Sequence, residues 1–133
     1  MSIVFLDTVG LIAQWDKSDQ WHPAANQALQ SLMARGDRTV TTTFVLLECG
    51  NAASRRPYRD QVAQTRAVLE SSGQLIVPTD EDWQAAWSAY ASGPIGSASI
   101  VDHVSFVVMR RLGISDVFTN DRHFRSAGFS ALF

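Results

Sequence analysis

Four acidic residues occupy positions where a carboxylate is unusual. Two of them directly follow short apolar runs that are typical of buried strands, and the other two interrupt longer apolar runs. A buried carboxylate without a partner is costly, and several carboxylates close together raise one another's pKa. A bound cation would remove both penalties, so the pattern predicts a metal site. The four residues are Asp7, Glu48, Asp102 and Asp121.

The chemistry of these ligands favours a hard divalent cation. Carboxylate oxygens suit Mg2+ or Mn2+, whereas zinc sites use histidine and cysteine at characteristic spacings. The histidines His22, His103 and His123 are scattered along the chain and do not resemble a zinc site. The single cysteine, Cys49, has apolar neighbours and is predicted to be a buried core residue without a disulfide.

Each of these acids also has a structural interpretation. The spacing Ser99-x-x-Asp102 is that of a helix capping box, and Asp121 could cap a short final helix. Glu48 could instead form an ion pair with an arginine. Both interpretations remain open for any one acid, and the metal site is favoured because all four occur together.

An alternation of strand-like and helix-like segments would position these acids. The predicted strands are 3–6, 38–42, 75–77, 116–119 and, as a short edge strand, 130–133. The predicted helices are 11–15, 23–35, 43–54, 59–70, 80–91, 99–112 and 121–127. This order predicts an α/β fold with a central parallel sheet of four to five strands flanked by helices. In such sheets ligands bind at the carboxyl ends of the strands, where Asp7 and Asp121 stand.

Length and composition indicate one ordinary globular domain. The chain has 133 residues, of which 46% are hydrophobic and 18% are charged, and it contains no evident linker or repeat. We therefore expect a single domain over residues 1–133. No apolar run is long enough for a membrane span, and the N-terminus lacks the features of a signal peptide. These observations predict a cytoplasmic protein without a membrane partner.

Binding of a nucleic acid would have to be local, because the net charge is −2. Arginine side chains suit phosphate oxygens, and they cluster in two stretches of this chain. The alternative is that each arginine lies on a solvated helix face. The candidate RNA-binding residues are Arg55, Arg56, Arg59 and Arg122.

Aromatic residues predict a subunit interface. Trp83, Trp87 and Tyr90 follow helical spacing and lie on one side of the predicted helix, as core or interface residues. Together with Trp15 and Trp21 they provide more aromatic surface than a chain this small readily buries. We therefore predict a homodimer formed through apolar helix faces.

Four segments resemble the PIN domain, and specifically the VapC type of bacterial toxin ribonuclease. Their order and spacing span nearly the whole chain, and the closing Thr-x-Asp-x-His-Phe combined with the earlier acids is the most specific feature. The segments are Phe5-Leu6-Asp7-Thr8, Leu46-Leu47-Glu48, Ser99-Ile100-Val101-Asp102, and Phe118-Thr119-Asn120-Asp121-Arg122-His123-Phe124 followed by Gly128-Phe129.

This resemblance implies a three-layer fold and an endoribonuclease activity. The reaction would be attack on an RNA phosphodiester by a metal-activated water, with one or two Mg2+ or Mn2+ ions as cofactor. The implied partners are an RNA substrate, a cognate antitoxin protein and a second copy of the chain. The implied metal-binding and catalytic residues are Asp7, Glu48, Asp102 and Asp121, with Thr8 and Thr119 as supporting hydroxyls.

Val9 and His103 depart from the family pattern. Val9 stands where the family commonly has Asn or Ser, which removes a polar neighbour of the metal site, and His103 stands where a small residue often follows the third acid. The alternative function is therefore a catalytically weakened PIN-like binding module that associates with an antitoxin or RNA. An aspartyl-phosphate phosphatase is disfavoured because it needs an acid at position 9. A phosphoacceptor domain is disfavoured because the only lysine is Lys17.

Overall fold

The computed structural model describes residues 2–133 as an alternation of strands and helices. The strands are β1 (Ile3–Leu6), β2 (Arg38–Thr42), β3 (Leu75–Ile76), β4 (Asp116–Phe118) and β5 (Ser130–Ala131). The helices are α1 (Thr8–Trp15), α2 (His22–Ala34), α3 (Thr43–Ala53), α4 (Arg59–Ser71), α5 (Asp80–Ser92), α6 (Ile100–Leu112) and α7 (Arg122–Ser126). No helix within residues 2–133 combines the length and the apolar character needed to cross a membrane.

All strands belong to one parallel sheet. The strand order is β3-β2-β1-β4-β5, and every neighbouring pair runs parallel. The central strand β1 pairs through Phe5 with Val40 on one side and Val117 on the other. The predicted α/β fold with a central parallel sheet of four to five strands is confirmed. Because Leu6 pairs with Phe118, the residues that follow β1 and β4 emerge side by side.

The core lies on both faces of the sheet and extends beneath α6. Phe5 and Val117 on the strands are completely buried, as expected for a parallel sheet covered by helices. Cys49 is also fully buried in this cluster, as its apolar neighbours predicted. Helix α6 contributes Met109 to this core and Val104 to a second, smaller cluster. Its central position explains why apolar residues occur on several of its sides.

Helix α1 begins earlier than the sequence predicted. The predicted start was residue 11, whereas the helix starts at Thr8 with Asp7 as its N-cap. The Asp7 carboxylate accepts a hydrogen bond of 3.3 Å from the Val9 backbone N–H. This cap satisfies a donor at the helix terminus. The strand therefore passes into the helix without a loop.

Helix α5 begins at Asp80, as predicted, and is capped by Thr79. The Thr79 hydroxyl accepts from the Asp82 N–H at 3.1 Å, and the Asp82 carboxylate accepts from the Thr79 N–H at 2.9 Å. Two terminal donors are thus satisfied in a complete capping box. Arg111 of α6 also binds the Asp82 carboxylate, through bonds of 2.9 and 2.7 Å. The same acid therefore caps α5 and ties it to α6.

The aromatic residues of α5 are not part of the core. Trp83, Trp87 and Tyr90 remain 43%, 39% and 45% exposed, and their rings meet edge to face. Trp15, predicted as part of a subunit interface, is partly buried against the core and stacks on Tyr58. Trp15 is therefore covered largely by residues of its own chain, whereas the α5 rings remain exposed to solvent.

Candidate metal centre

Thr119 joins two of the predicted acids at the carboxyl edge of the sheet. Asp7 follows β1 and Thr119 follows β4, and both are almost completely buried. The Thr119 hydroxyl donates to Asp7 Oδ2 at 2.8 Å and accepts from the Asp121 backbone N–H at 3.1 Å. The parallel pairing of β1 and β4 thus becomes a direct link between Asp7 and the segment of Asp121.

Gly10 allows helix α1 to pack directly against the end of β4 at this edge of the sheet. A Cβ atom at Gly10 would lie 2.0 Å from the carbonyl oxygen of Phe118, which no side chain tolerates. Helix α1 therefore approaches the end of β4 more closely than any other residue type permits. The contact joins residues 108 positions apart, so the sequence alone does not indicate this role. A glycine inside a helix lowers stability by about 1 kcal/mol relative to alanine, and such a glycine often has a packing reason.

Asp121 caps α7, as its structural interpretation predicted. Its Oδ1 accepts from the His123 backbone N–H at 2.9 Å and lies 3.0 Å from His123 Nδ1. The cap uses only this oxygen. Asp7 is arranged in the same way, since Oδ2 accepts both of its described bonds. Within residues 2–133, Asp7 Oδ1 and Asp121 Oδ2 accept no hydrogen bond, so both carboxylates can cap a helix and still bind a cation.

Asp102 lies in the first turn of α6 and faces the same cluster. Its backbone N–H donates to the Ser99 hydroxyl at 3.1 Å, so Ser99 caps α6, and the Ser99 backbone N–H opposes the rise in the pKa of the Asp102 carboxylate. One oxygen each of Asp102 and Asp121 and one nitrogen of His123 lie within 4.8 Å of one another. The two carboxylate oxygens are near enough for one ion to contact both, whereas each ring nitrogen of His123 faces a protein oxygen, Asp121 Oδ1 on one side and the Gly96 carbonyl on the other.

Burial and mutual repulsion dominate the electrostatics of the cluster. Burial raises the pKa of Asp7 to about 7, with a further increase from Asp102, while the Thr119 and Val9 donors oppose it. Burial likewise raises the pKa of Asp102 to about 6, with contributions from Asp121 and Glu48. Among residues 2–133, no lysine or arginine forms an ion pair with these aspartates. In the part of the chain that the structure describes, His123 is the one basic side chain in contact with these aspartates, through Nδ1 at 3.0 Å from Asp121 Oδ1.

Glu48 approaches this cluster from α3 and is half-buried. Its charge raises the pKa of Asp102, so the two carboxylates are within electrostatic reach. No arginine pairs with it within residues 2–133, so the ion pair considered above is not formed. Glu48 also lines an apolar groove with Trp83 and Trp87 of α5. It therefore stands at the rim of the acidic cluster.

His123 joins the acidic cluster, although the scattered positions of the histidines in the sequence predict no such role. His22 and His103 lie outside the acidic group, as that scattering predicts. His123 does join it, through Asp121 on one ring nitrogen and the Gly96 carbonyl, at 3.2 Å, on the other. The Asp-x-His spacing at the start of a short helix was the available signal.

The two predicted supporting hydroxyls have different environments. Thr119 contacts Asp7 directly, as described above. The Thr8 hydroxyl is buried beside the Cys49 thiol and forms no hydrogen bond with the acidic residues among residues 2–133. Burial raises the pKa of that thiol to about 12. Cys49 is therefore an uncharged packing group, and a supporting role for Thr8 finds no contact here.

The candidate RNA-binding arginines are all exposed. Arg59 donates to the Ser54 carbonyl at 3.0 Å, which holds one end of its guanidinium. Within residues 2–133, Arg55, Arg56 and Arg122 form no hydrogen bond or ion pair that would occupy them. Arg122 directly follows Asp121, and all four side chains are exposed to phosphate oxygens.

Comparison with known proteins places these features in a family. The sequence profile of the PIN domain matches residues 4–130. Among solved structures, the crystal structure of VapC20 from Mycobacterium tuberculosis, described as a sarcin-ricin loop cleaving toxin, superimposes with a TM-score of 0.78. The two chains are 26% identical, and the match covers 96% of each. No curated protein sequence matches the chain.

Proposed function

The chain belongs to the PIN domain family, and we propose that it is a divalent-metal-dependent endoribonuclease of the toxin type. One observation carries this proposal. Asp102 and Asp121 each place one oxygen within 4.8 Å of the other, and Asp7 is linked to the Asp121 segment through Thr119 and interacts with the charges of both. No lysine or arginine pairs with these three acids within residues 2–133. Repulsion between these carboxylates is relieved when a cation binds, so the arrangement favours cation binding.

The chemistry of the donors fits Mg2+ or Mn2+. Asp7, Asp102 and Asp121 supply carboxylate oxygens, and Glu48 adds a fourth carboxylate at the rim. When bound, the cation supplies a Lewis acid and offsets the negative charge that develops on a phosphoryl oxygen. Tetrahedral zinc is disfavoured because His123 is the only nitrogen donor in the group and Cys49 is buried elsewhere.

The side chains have distinct proposed tasks. Asp7 is the most deeply buried acid, and Thr119 holds its Oδ2 so that Oδ1 remains available as a ligand. Asp121 likewise offers Oδ2, because its Oδ1 is occupied by the cap. Both Asp7 and Asp102 must lose a proton before they can bind a cation, so the site is complete only near neutral pH.

RNA is the proposed substrate, and an antitoxin protein is the proposed partner. The support is the likeness to VapC20, which is described as cleaving the sarcin-ricin loop. The exposed Arg122 directly follows Asp121 and would meet a phosphate next to the scissile bond. Loops of RNA expose single-stranded bases and backbone, which proteins recognise more readily than A-form helices. A sarcin-ricin loop oligonucleotide is therefore the first substrate to test.

A catalytically weakened binding module was the alternative, based on Val9. The structure gives this alternative no specific support. Val9 contributes its backbone N–H to Asp7, and the Val9 residue is 38% exposed. The hydrogen bond that it makes to the acid thus does not depend on its side chain.

The decisive experiment measures cleavage of the loop oligonucleotide with Mg2+, with Mn2+ and with EDTA. We expect cleavage with either ion, none with EDTA, and a loss of more than about 100-fold in Asp102→Asn, because even groups that only support metal ligands contribute 10–100-fold. Asp60→Asn is the matched control, since Asp60 is exposed on α4. Metal-independent cleavage, or equal activity of the two variants, would contradict the proposal.

We also propose a homodimer that uses the exposed face of α5. Trp83, Trp87 and Tyr90 form a continuous series with Phe44 of α3, in which neighbouring rings meet edge to face. Exposed aromatic series of this kind are enriched in protein interfaces. Trp21 is similarly exposed, at 46%, but stands alone. Sedimentation at micromolar concentration should show a dimer that Trp87→Ser weakens and Trp21→Ser does not. A monomeric wild type would contradict this assignment.

A further inference from the structure

His123 makes hydrogen-bond contacts to two parts of the chain through its two ring nitrogens. Nδ1 lies 3.0 Å from Asp121 Oδ1, and Nε2 lies 3.2 Å from the carbonyl oxygen of Gly96. We propose that His123 is a positioning residue of the metal centre, which orients the Asp121 carboxylate and tethers the loop 93–98. This proposal rests on the proposed function, since it assumes that Asp121 binds a divalent cation.

The contact with Asp121 fixes the orientation of that carboxylate. Oδ1 receives the backbone N–H of His123 at 2.9 Å and faces its ring nitrogen at 3.0 Å. Two contacts from one residue prevent the carboxylate from rotating and keep Oδ2 available. Groups that hydrogen-bond to a metal ligand in this way change metal affinity or activity by about 10–100-fold when they are removed.

The contact with Gly96 connects α7 to the segment that precedes Asp102. Residues 93–98 lead into α6, whose first turn carries Asp102 and is capped by Ser99. Within residues 2–133, this is the one hydrogen bond from residues 94–98 to a distant part of the chain, since Ser97 bonds only within the loop. His123 therefore links the segments of two ligands that are remote in sequence.

A purely structural role in α7 would leave these two contacts without consequence for metal binding. The backbone N–H of His123 already completes the cap on Asp121, and any residue type other than proline supplies that group. The ring adds what the backbone cannot, which is a second contact to the ligand and a contact to the loop; because both partners are acceptor oxygens, the two hydrogen bonds form together only when both ring nitrogens donate. The two contributions can be separated by substitution.

Asparagine and glutamine place an amide nitrogen at different distances from the backbone. The Asn nitrogen is as many bonds from Cα as Nδ1 of histidine, and the Gln nitrogen as many as Nε2. His123→Asn should keep the contact with Asp121 and release Gly96, whereas His123→Gln should do the opposite. His22→Gln is a matched control, because His22 lies on α2 and contacts the Ala13 carbonyl.

The measurements are Mn2+ affinity by calorimetry and amide hydrogen exchange of residues 93–98, both on the metal-free full chain. We expect His123→Gln to weaken Mn2+ binding by about 10–100-fold with slow loop exchange retained. We expect His123→Asn to bind Mn2+ within a few-fold of wild type while its loop exchanges faster. His22→Gln should change neither quantity.

Each other result overturns the inference. If the wild type binds Mn2+ and His123→Gln binds it equally well, His123 is not a positioning residue, while the proposed function is unaffected. If the wild type binds no Mn2+, both the positioning role of His123 and the proposed metal-dependent function are contradicted. Equal losses in the two His123 variants, accompanied by a lower melting temperature, would show that the histidine serves only the stability of α7.

Discussion

Two aspartates that are almost inaccessible to solvent have different hydrogen-bond partners and opposite pKa shifts. Asp7 is 1% exposed and Asp82 is 2% exposed. Asp82 receives two bonds from Arg111 and belongs to a capping box, and its pKa lies below the ordinary value because of these partners. The pKa of Asp7 is raised to about 7 by burial. Similar solvent exposure thus accompanies opposite pKa shifts, because Asp7 lies deep in the protein, whereas Asp82 lies near the surface beneath the partly exposed Arg111 side chain.

The difference separates a structural acid from a functional one. Both Asp82 oxygens are occupied by Arg111, and Oδ2 also receives the Thr79 N–H, so nothing remains for a ligand. Asp7 keeps one oxygen without a hydrogen bond and has further carboxylates as neighbours. Buried groups with perturbed pKa values are common at functional sites, and structural ion pairs perturb pKa values as well. The direction of the shift distinguishes the two cases here.

Removing the Asp7 charge should have the largest effect on activity. Asp7→Asn is expected to reduce metal-dependent RNA cleavage by more than about 100-fold, because it removes a ligand. The fold should persist and become more stable above pH 7 without metal. The sign follows from the raised pKa: between pH 3.8 and about 7 the unfolded chain ionises Asp7 while the folded protein keeps it protonated, so the free energy of unfolding falls over this range, and Asp7→Asn does not undergo this loss. If Asp7→Asn cleaved RNA at the wild-type rate, or lost activity only because it unfolded, Asp7 would have a structural role and would not be a metal ligand.

Metal affinity should depend steeply on pH. Protons compete with the cation for Asp7 and Asp102, whose pKa values are about 7 and about 6. Below each pKa, binding should weaken by about tenfold per pH unit for each proton. Calorimetric titration with Mn2+ from pH 5 to pH 8 tests this. The dependence near pH 7 should disappear in Asp7→Asn, and a flat wild-type profile would contradict the raised pKa values.

Disruption of the Asp82–Arg111 ion pair should lower the stability of the fold without changing RNA cleavage. Asp82→Asn is expected to lower the free energy of unfolding by about 1–2 kcal/mol at pH 7, which is less than for a fully buried pair because the Arg111 side chain is 40% exposed. The lowered pKa places this stabilisation above about pH 4, and it is lost as the pH falls further. Denaturant titrations at pH 7 and pH 3 measure both values.

The Asp82 experiment is also the sharpest control for the acidic cluster. Cleavage per folded molecule should equal that of wild type in Asp82→Asn, since Asp82 contacts neither the cluster nor the candidate RNA-binding arginines. A large loss of activity in a folded Asp82→Asn protein would show that the two kinds of buried aspartate do not differ in function.

The smallest expected effect is at Arg122, beside the cluster. Arg122→Gln should raise the KM for RNA by a few-fold and reduce the salt dependence of binding by about one phosphate contact. Arg38→Gln is the matched control, because Arg38 is exposed at the start of β2. Binding assays at two salt concentrations distinguish these variants. If the RNA affinities of Arg122→Gln and Arg38→Gln depend on salt concentration to the same extent, Arg122 does not contact the RNA.

Local patterns were sufficient to predict most of the fold. The strands 3–6 and 38–42 occur as predicted, because a short apolar or β-branched run between breaking residues has few alternatives. The end of α6 at Gly113, whose φ is +69°, follows from the same local chemistry. The start of α1 could not be predicted in this way. It depends on Asp7 as a cap and on Gly10 against Phe118, a residue more than a hundred positions away.

For the candidate site, residue type and position along the chain were enough to nominate Asp7, Asp102 and Asp121, because a carboxylate in an apolar segment is anomalous wherever the chain folds. Which of the buried acids lacks a basic partner was settled only by tertiary contacts. Arg111 reaches Asp82 across 29 positions, and Thr119 reaches Asp7 across 112. The role of His123 was hidden for the same reason, since its bond to Gly96 joins segments that only the packing of α7 beside the α5–α6 loop brings together.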